Sequence, residues 1–164
     1  MKSIKDNKIN IKSILAPICL FVYNRKEETS KTITALKNNF LAKDSDLIIF
    51  SDGAKFNRDN IAVSDVRKYI KQINGFKSIK IIESQSNMGL ASSIIEGVTF
   101  ALNHYDKVIV LEDDLVTTPH FLNFMNEALN YYENYQKVMS VNAFSLDIQN
   151  VKVNLEHDVF FHTR

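Results

Sequence analysis

Short apolar runs rich in β-branched residues recur about every thirty residues along the chain: Ile18-Cys19-Leu20-Phe21-Val22, Leu47-Ile48-Ile49-Phe50, Ile79-Lys80-Ile81-Ile82 and Val108-Ile109-Val110-Leu111. Between them the apolar positions change to helical spacing: Thr29, Ile33, Leu36 and Phe40; then Val63, Val66, Ile70 and Ile73; then Leu90, Ile94, Val98, Ala101 and Leu102. A fourth helix is predicted to open with Thr118 as N-cap and Pro119 at its first position, carrying Phe121, Leu122, Met125, Leu129 and Tyr132 on its apolar face. Strands that alternate with helices predict an α/β fold, a three-layer α/β/α sandwich whose mostly parallel sheet is covered on both faces. The tail departs from this beat, because Val138-Met139-Ser140-Val141, Ile148 to Val153 and Val159-Phe160-Phe161 read as short β-like runs with no helix between them. Residues 1–15, polar and without clear period, read as a loose N-terminal arm, and 16–164 as a single domain.

The length, 164 residues, suits one domain with a substantial core. Lys and Arg total 20 against 19 Asp and Glu, a formal charge of +1. That balance lacks the basic field of a nucleic-acid binder, so no nucleic-acid partner is expected. Cys19 is the only cysteine and lies in an apolar run, which excludes an intrachain disulfide and a multi-cysteine zinc site. The longest apolar stretch, Ile14 to Tyr23, is broken by Pro17 and is far short of a membrane span. The lysine-dotted start has no signal-peptide core. A cytoplasmic protein is expected, with peripheral attachment at the inner face of the membrane left open for a full-length form.

Ligands of open α/β sheets bind at the carboxyl ends of the strands. The residues there are consistently polar: Tyr23-Asn24-Arg25 after the first run, Ser51-Asp52-Gly53 after the second, Glu83 to Gly89 after the third and Glu112-Asp113-Asp114 after the fourth. Packed carboxylates repel unless a cation neutralises them, and hard ions such as Mg²⁺ or Mn²⁺ take one or two carboxylates together with substrate phosphates and water. A solvated acidic turn capping the next helix is the competing reading of the triplet. Arg25 offers a planar fork of donors to a diphosphate, or is an ordinary surface arginine. Asp52 accepts from a ribose or base N–H, or simply makes an Asp-Gly turn. Asn87-Met88-Gly89-Leu90 opens a helix with a glycine that permits close backbone approach, without the full GxGxxG fingerprint. His104 and His120 fall beside helix boundaries, where capping or solvated roles are expected, and one of His157 and His162, which flank Asp158, is a candidate further metal ligand. The Tyr131-Tyr132-Tyr135 cluster is expected to pack with its hydroxyls at the rim.

The order Pro17 to Arg25, Ser51-Asp52-Gly53, Asn87-Met88-Gly89-Leu90 and Leu111-Glu112-Asp113-Asp114 resembles the nucleotide-sugar half of GT-A glycosyltransferases, over Pro17 to about Ala143. It is most similar to family 2-like enzymes and to the N-acetylglucosaminyltransferase I group, whose metal motif also reads Glu-Asp-Asp before a helix containing Pro and Phe. The resemblance implies transfer of a hexosyl or N-acetylhexosaminyl group from a nucleoside diphosphate sugar, a UDP-sugar first of all, to a hydroxyl of a glycan, lipid-linked or protein acceptor. It implies that Tyr23, Asn24 and Arg25 line the nucleotide pocket, that Asp52 contacts base or ribose, and that Asn87, Gly89 and Leu90 border the donor. It further implies that Asp114 binds Mn²⁺ or Mg²⁺ directly, while Glu112 and Asp113 hold sugar, ribose or metal-bound water, with Glu112 a second metal candidate. In these families the catalytic base lies well after the metal motif. After Val138, Asp147, Glu156 and Asp158 are the only acids and none sits in a recognisable base motif. The chain is therefore expected to be the N-terminal, donor-binding part of a longer transferase, lacking most of the acceptor-side segment, with its catalytic residue unassigned. A non-catalytic nucleotide and metal-binding module is the rival. A nucleotidyltransferase would normally carry a glycine-rich loop where this chain has Asn24-Arg25-Lys26-Glu27, and phosphoryl-transfer folds place acids after the first strand.

Overall fold

The computed structural model describes residues 15–143. Its centre is β1 (Ile18–Val22), buried at all five positions, as a strand covered on both faces must be. β2 (Asp46–Ser51) and β4 (Ile109–Glu112) flank it, and β3 (Ser78–Glu83) lies outside β2, giving the order β3-β2-β1-β4 with every pairing parallel. Leu20 stands opposite Ile49 on one side and Leu111 on the other. The edge strand β3 is less buried and carries Lys80, whose ammonium lies 4.5 Å from the centre of the Phe100 ring. A lysine on an edge also discourages pairing with a foreign strand.

Alternate side chains of β1 serve opposite layers. Ile18, Leu20 and Val22 meet Ile33 and Leu36 of α1 (Lys26–Lys37), Val66 and Ile70 of α2 (Asn60–Ile70), and Leu122 and Met125 of α4 (Phe121–Tyr132). Cys19 and Phe21 join Ile48, Phe50 and Ala101 on the other face, under α3 (Leu90–Leu102). The result is the expected three-layer sandwich. Because β1, β2 and β3 step one way and α3 then carries the chain back across the sheet to β4, the order reverses between β1 and β4. That is the crevice where open α/β sheets hold ligands.

Two packing details are directly testable. Burial pushes the Cys19 thiol up to about 12, so Cys19 is expected to resist a thiol-specific reagent at mildly alkaline pH until urea unfolds the chain; rapid labelling of the native protein would contradict its placement. The rings of Phe21 and Phe50 stack with centroids 4.9 Å apart, and a Cβ on Gly97 would come within 2.6 Å of the Phe21 ring. Gly97→Val is expected to cost about 1–3 kcal/mol by overpacking, read as a lower urea midpoint, and an unchanged midpoint would contradict this contact.

Several boundaries differ from the pattern, and α2 ends at Ile70, short of Ile73. α1 stops at Lys37, leaving Phe40 64% exposed with its ring centroid 4.7 Å from that of His120. α4 begins at Phe121, not at Thr118 and Pro119: Thr118 to Phe121 closes a turn (Phe121 N to Thr118 O, 3.1 Å), and the Leu122 amide donates to Asn39 Oδ1 at 2.9 Å. A buried asparagine from the end of α1 thus caps the helix in place of Thr118. Val138 to Val141 form no strand; the amides of Tyr135 and Val138 close turns onto Tyr132 and Tyr135, and Met139 is almost fully exposed. His104 Nδ1 meets Phe100 O at 2.9 Å, and Tyr131, Tyr132 and Tyr135 pack ring against ring. No helix among the described residues is long and apolar enough to cross a membrane. Apart from Leu15, the expected arm over 1–15 lies outside the described residues, as do Ile148 to Val153, Val159 to Phe161, Asp147, Glu156, His157, Asp158 and His162.

Candidate functional site

At the crevice, the first residue past the β1 bend reaches the acids past β4. Arg25 Nη2 donates to Asp113 Oδ1, and Nη1 donates to Asp114 Oδ2 at 3.1 Å. The three side chains differ in exposure: Asp113 is nearly fully buried, whereas Arg25 and Asp114 are 47% and 44% exposed. Hydrogen bonding to Asp113, reinforced by the charges of both carboxylates, raises the Arg25 pKa, so the guanidinium remains charged. Thr32, on the buried face of α1, donates to Asp113 O at 2.9 Å and fixes the backbone between the two acids. Glu112 lies opposite Phe21 in the register and belongs to the α3 side of the sheet; the carboxylates on Arg25 are those of Asp113 and Asp114.

The ends of β2 and β3 are joined by Asp52. Its Oδ1 accepts from the amides of Gly53 (2.8 Å) and Met88 (2.9 Å), and its Oδ2 from Gly89 N (3.0 Å) and Asn87 Nδ2 (2.9 Å). Asn87 also donates to Gly53 O at 2.9 Å. Gly53 is required by close approach, since a Cβ there would stand 2.5 Å from the Ser86 carbonyl carbon. Gly89 is required by conformation: at φ 77° and ψ 157° it occupies a region open almost only to glycine, with free space above it and Leu90 half-exposed beside it. Tyr23, half-buried next to Asn24, donates to Asp59 Oδ2 (3.0 Å) and accepts from Lys55 N (3.0 Å), tying the loop after β2 to the end of β1. Partial burial, with Asp59 adding to it, raises the phenol pKa.

Oxygen donors suit a hard divalent ion. Asp113 Oδ2 is buried without a hydrogen-bond partner, and Asp114 presents a half-exposed carboxylate to the crevice. Among the described residues no group of three or more His, Cys, Asp or Glu side chains converges on one point. The residues therefore fit an ion held by one or two carboxylates whose remaining ligands come from a phosphorylated substrate, the usual manner of Mg²⁺ sites.

Residues 18–158 match the family described as Glycosyl transferase family 2, which spans most of the chain and all four strands. The chain belongs to this family. Among solved structures this family 2 chain is similar to S. aureus TarS, with a TM-score of 0.51 and 13% identity over 71% of the chain and 20% of TarS. It is also similar to residues 1–349 of TarS, with a TM-score of 0.50 and 14% identity, over 71% of the chain and 32% of that structure. The chain thus spans between a fifth and a third of the length of these two structures. No curated protein sequence matches it.

Several polar residues that hold the strand ends and loops in place are not distinguished by the sequence pattern. Arg67, on α2, donates to the carbonyls of Ser51 (3.3 Å), Asp52 (3.2 Å) and Ser84 (2.7 Å) and lies 3.6 Å from Glu83, clamping the ends of β2 and β3. Its signal was a cation beside the apolar stripe Val63, Val66, Ile70. Thr32 and Asn39 carried a similar signal, each polar and buried among the apolar positions at the end of α1. Asp59, directly before α2, reads along the chain only as an acid at a helix start.

Proposed function

We propose that the chain binds a nucleoside diphosphate sugar together with a divalent cation, Mn²⁺ or Mg²⁺, and that the whole protein transfers the sugar to an acceptor hydroxyl. The observation that carries this reading is the Arg25–Asp113–Asp114 cluster, which joins β1 to β4 at the reversal of strand order in a family 2 chain. Arg25 presents a charged, half-exposed fork suited to a diphosphate. Asp113, buried, orients that fork, and Asp114 is the direct metal ligand, with Glu112 at the sheet end available to sugar or metal-bound water. Tyr23 and Asn24 line the nucleotide side. Asp52 acts through the loop it anchors, placing Asn87, Gly89 and Leu90 along the donor. When bound, the cation neutralises the charge that builds on the departing diphosphate. Acidic residues at a strand end and the Glu112-Asp113-Asp114 motif ahead of Pro119 and a helix that opens on Phe121 support transfer of a hexosyl or N-acetylhexosaminyl group from a UDP-sugar to a glycan, lipid-linked or protein acceptor. A thermal-shift panel of nucleosides, nucleoside monophosphates and nucleoside diphosphates, with and without Mn²⁺, tests the donor site. A raised unfolding temperature is expected only with a diphosphate and metal together; no shift with any nucleotide, or equal shifts with nucleosides, would contradict it.

A further inference from the structure

We propose that Arg25 is a built-in counter-cation that keeps Asp114 closed to a free divalent ion until a diphosphate draws its Nη1 off Asp114 while Nη2 stays on Asp113, so that metal and nucleotide bind as a pair. This inference rests on the donor-site reading above and adds an order of events to it. The two halves of the Arg25 fork are held unequally. Nη2 is bound to a carboxylate that is 4% exposed and whose charge cannot be left without a cation; Nη1 meets, at 3.1 Å, one that is 44% exposed. Thr32 pins the backbone between the two acids, so Asp114 is not carried along by a moving Arg25. A lone divalent ion approaching Asp114 meets a carboxylate already shared with a fixed positive charge. A diphosphate offers Nη1 a more highly charged partner than Asp114 and brings its own oxygens to the ion. Coupling of this kind is reciprocal: whatever the nucleotide adds to metal affinity, the metal adds to nucleotide affinity.

Manganese binding to the 164-residue chain, followed by the loss of the free-ion electron paramagnetic resonance signal, tests it on the wild type, Arg25→Gln and Arg25→Lys. Lysine keeps a positive charge beside Asp113, but its flexible ammonium lacks the planar fork that fixes one N–H edge on each carboxylate. Without nucleotide, both variants are expected to bind Mn²⁺ roughly 5- to 20-fold more tightly than the wild type, and UDP is expected to tighten Mn²⁺ binding more in the wild type than in either variant. If Arg25→Gln fails to fold by circular dichroism, Arg25→Lys alone decides. Folded Arg25→Lys that binds Mn²⁺ no more tightly than the wild type overturns the proposal while leaving the donor site intact. A wild type that takes up no Mn²⁺ even with UDP overturns both.

Discussion

Asp52→Ala is expected to lower stability by about 2–4 kcal/mol and to weaken nucleotide binding, although the side chain acts through a loop. Four hydrogen bonds converge on this buried carboxylate, three from backbone amides and one from Asn87, and each charge-assisted bond is worth roughly 1.5–3 kcal/mol singly. The sum is not additive, because water reaches part of the released loop. For a chain of this size the loss corresponds to a fall of about 5–15 °C in the unfolding midpoint. Asp52→Asn is a sharper comparison. Each carboxylate oxygen accepts from two N–H groups, so either orientation of the amide turns donors against donors, and asparagine should restore little of the lost stability. Differential scanning calorimetry of the two variants checks this, and a midpoint within a degree or so of wild type for Asp52→Ala would show that the loop does not depend on the carboxylate.

Asp114→Ala is expected to separate binding from folding. The side chain is half-exposed and its bond to Arg25 leaves the buried Arg25–Asp113 contact in place, so stability should change by no more than about 0.5 kcal/mol. Removal of the direct ligand is expected to cost 2–3 kcal/mol of metal-assisted nucleotide binding, roughly 30- to 150-fold in affinity. Isothermal titration of UDP in the presence of Mn²⁺ reads this directly. Wild-type affinity in the variant would remove Asp114 from the metal site.

Much of the fold was written in the periodicities. The apolar runs located all four described strands, most cleanly β1 and β2, which are buried at nearly every position and have no polar face to confuse the pattern, whereas β3 is partly exposed and interrupted by Lys80. The helix ends were less legible where a distant side chain completes the hydrogen bonding, as Asn39 does for α4. Val138 to Val141 has strand composition but no neighbouring strand among the described residues, and composition alone supplies no partner. In the site, Arg25, Asp113 and Asp114 were visible as charges at strand ends. That one arginine would bridge both acids depended on β4 lying next to β1, which spacing along the chain does not encode. The same holds for Asp52, which as an Asp-Gly pair reads as a turn but in three dimensions collects amides from a loop more than thirty residues later. Arg67 and Thr32 stayed hidden because a polar residue beside an apolar stripe is ordinarily a helix boundary with water.

The central claim, a diphosphate held with a divalent ion at Asp114, is tested most directly by titrating UDP into the wild-type chain by calorimetry, once with excess EDTA and once with excess Mn²⁺. Binding is expected to be at least about tenfold tighter with Mn²⁺, a difference of roughly 1.4 kcal/mol. Equal affinity under the two conditions, or no binding under either, would contradict it.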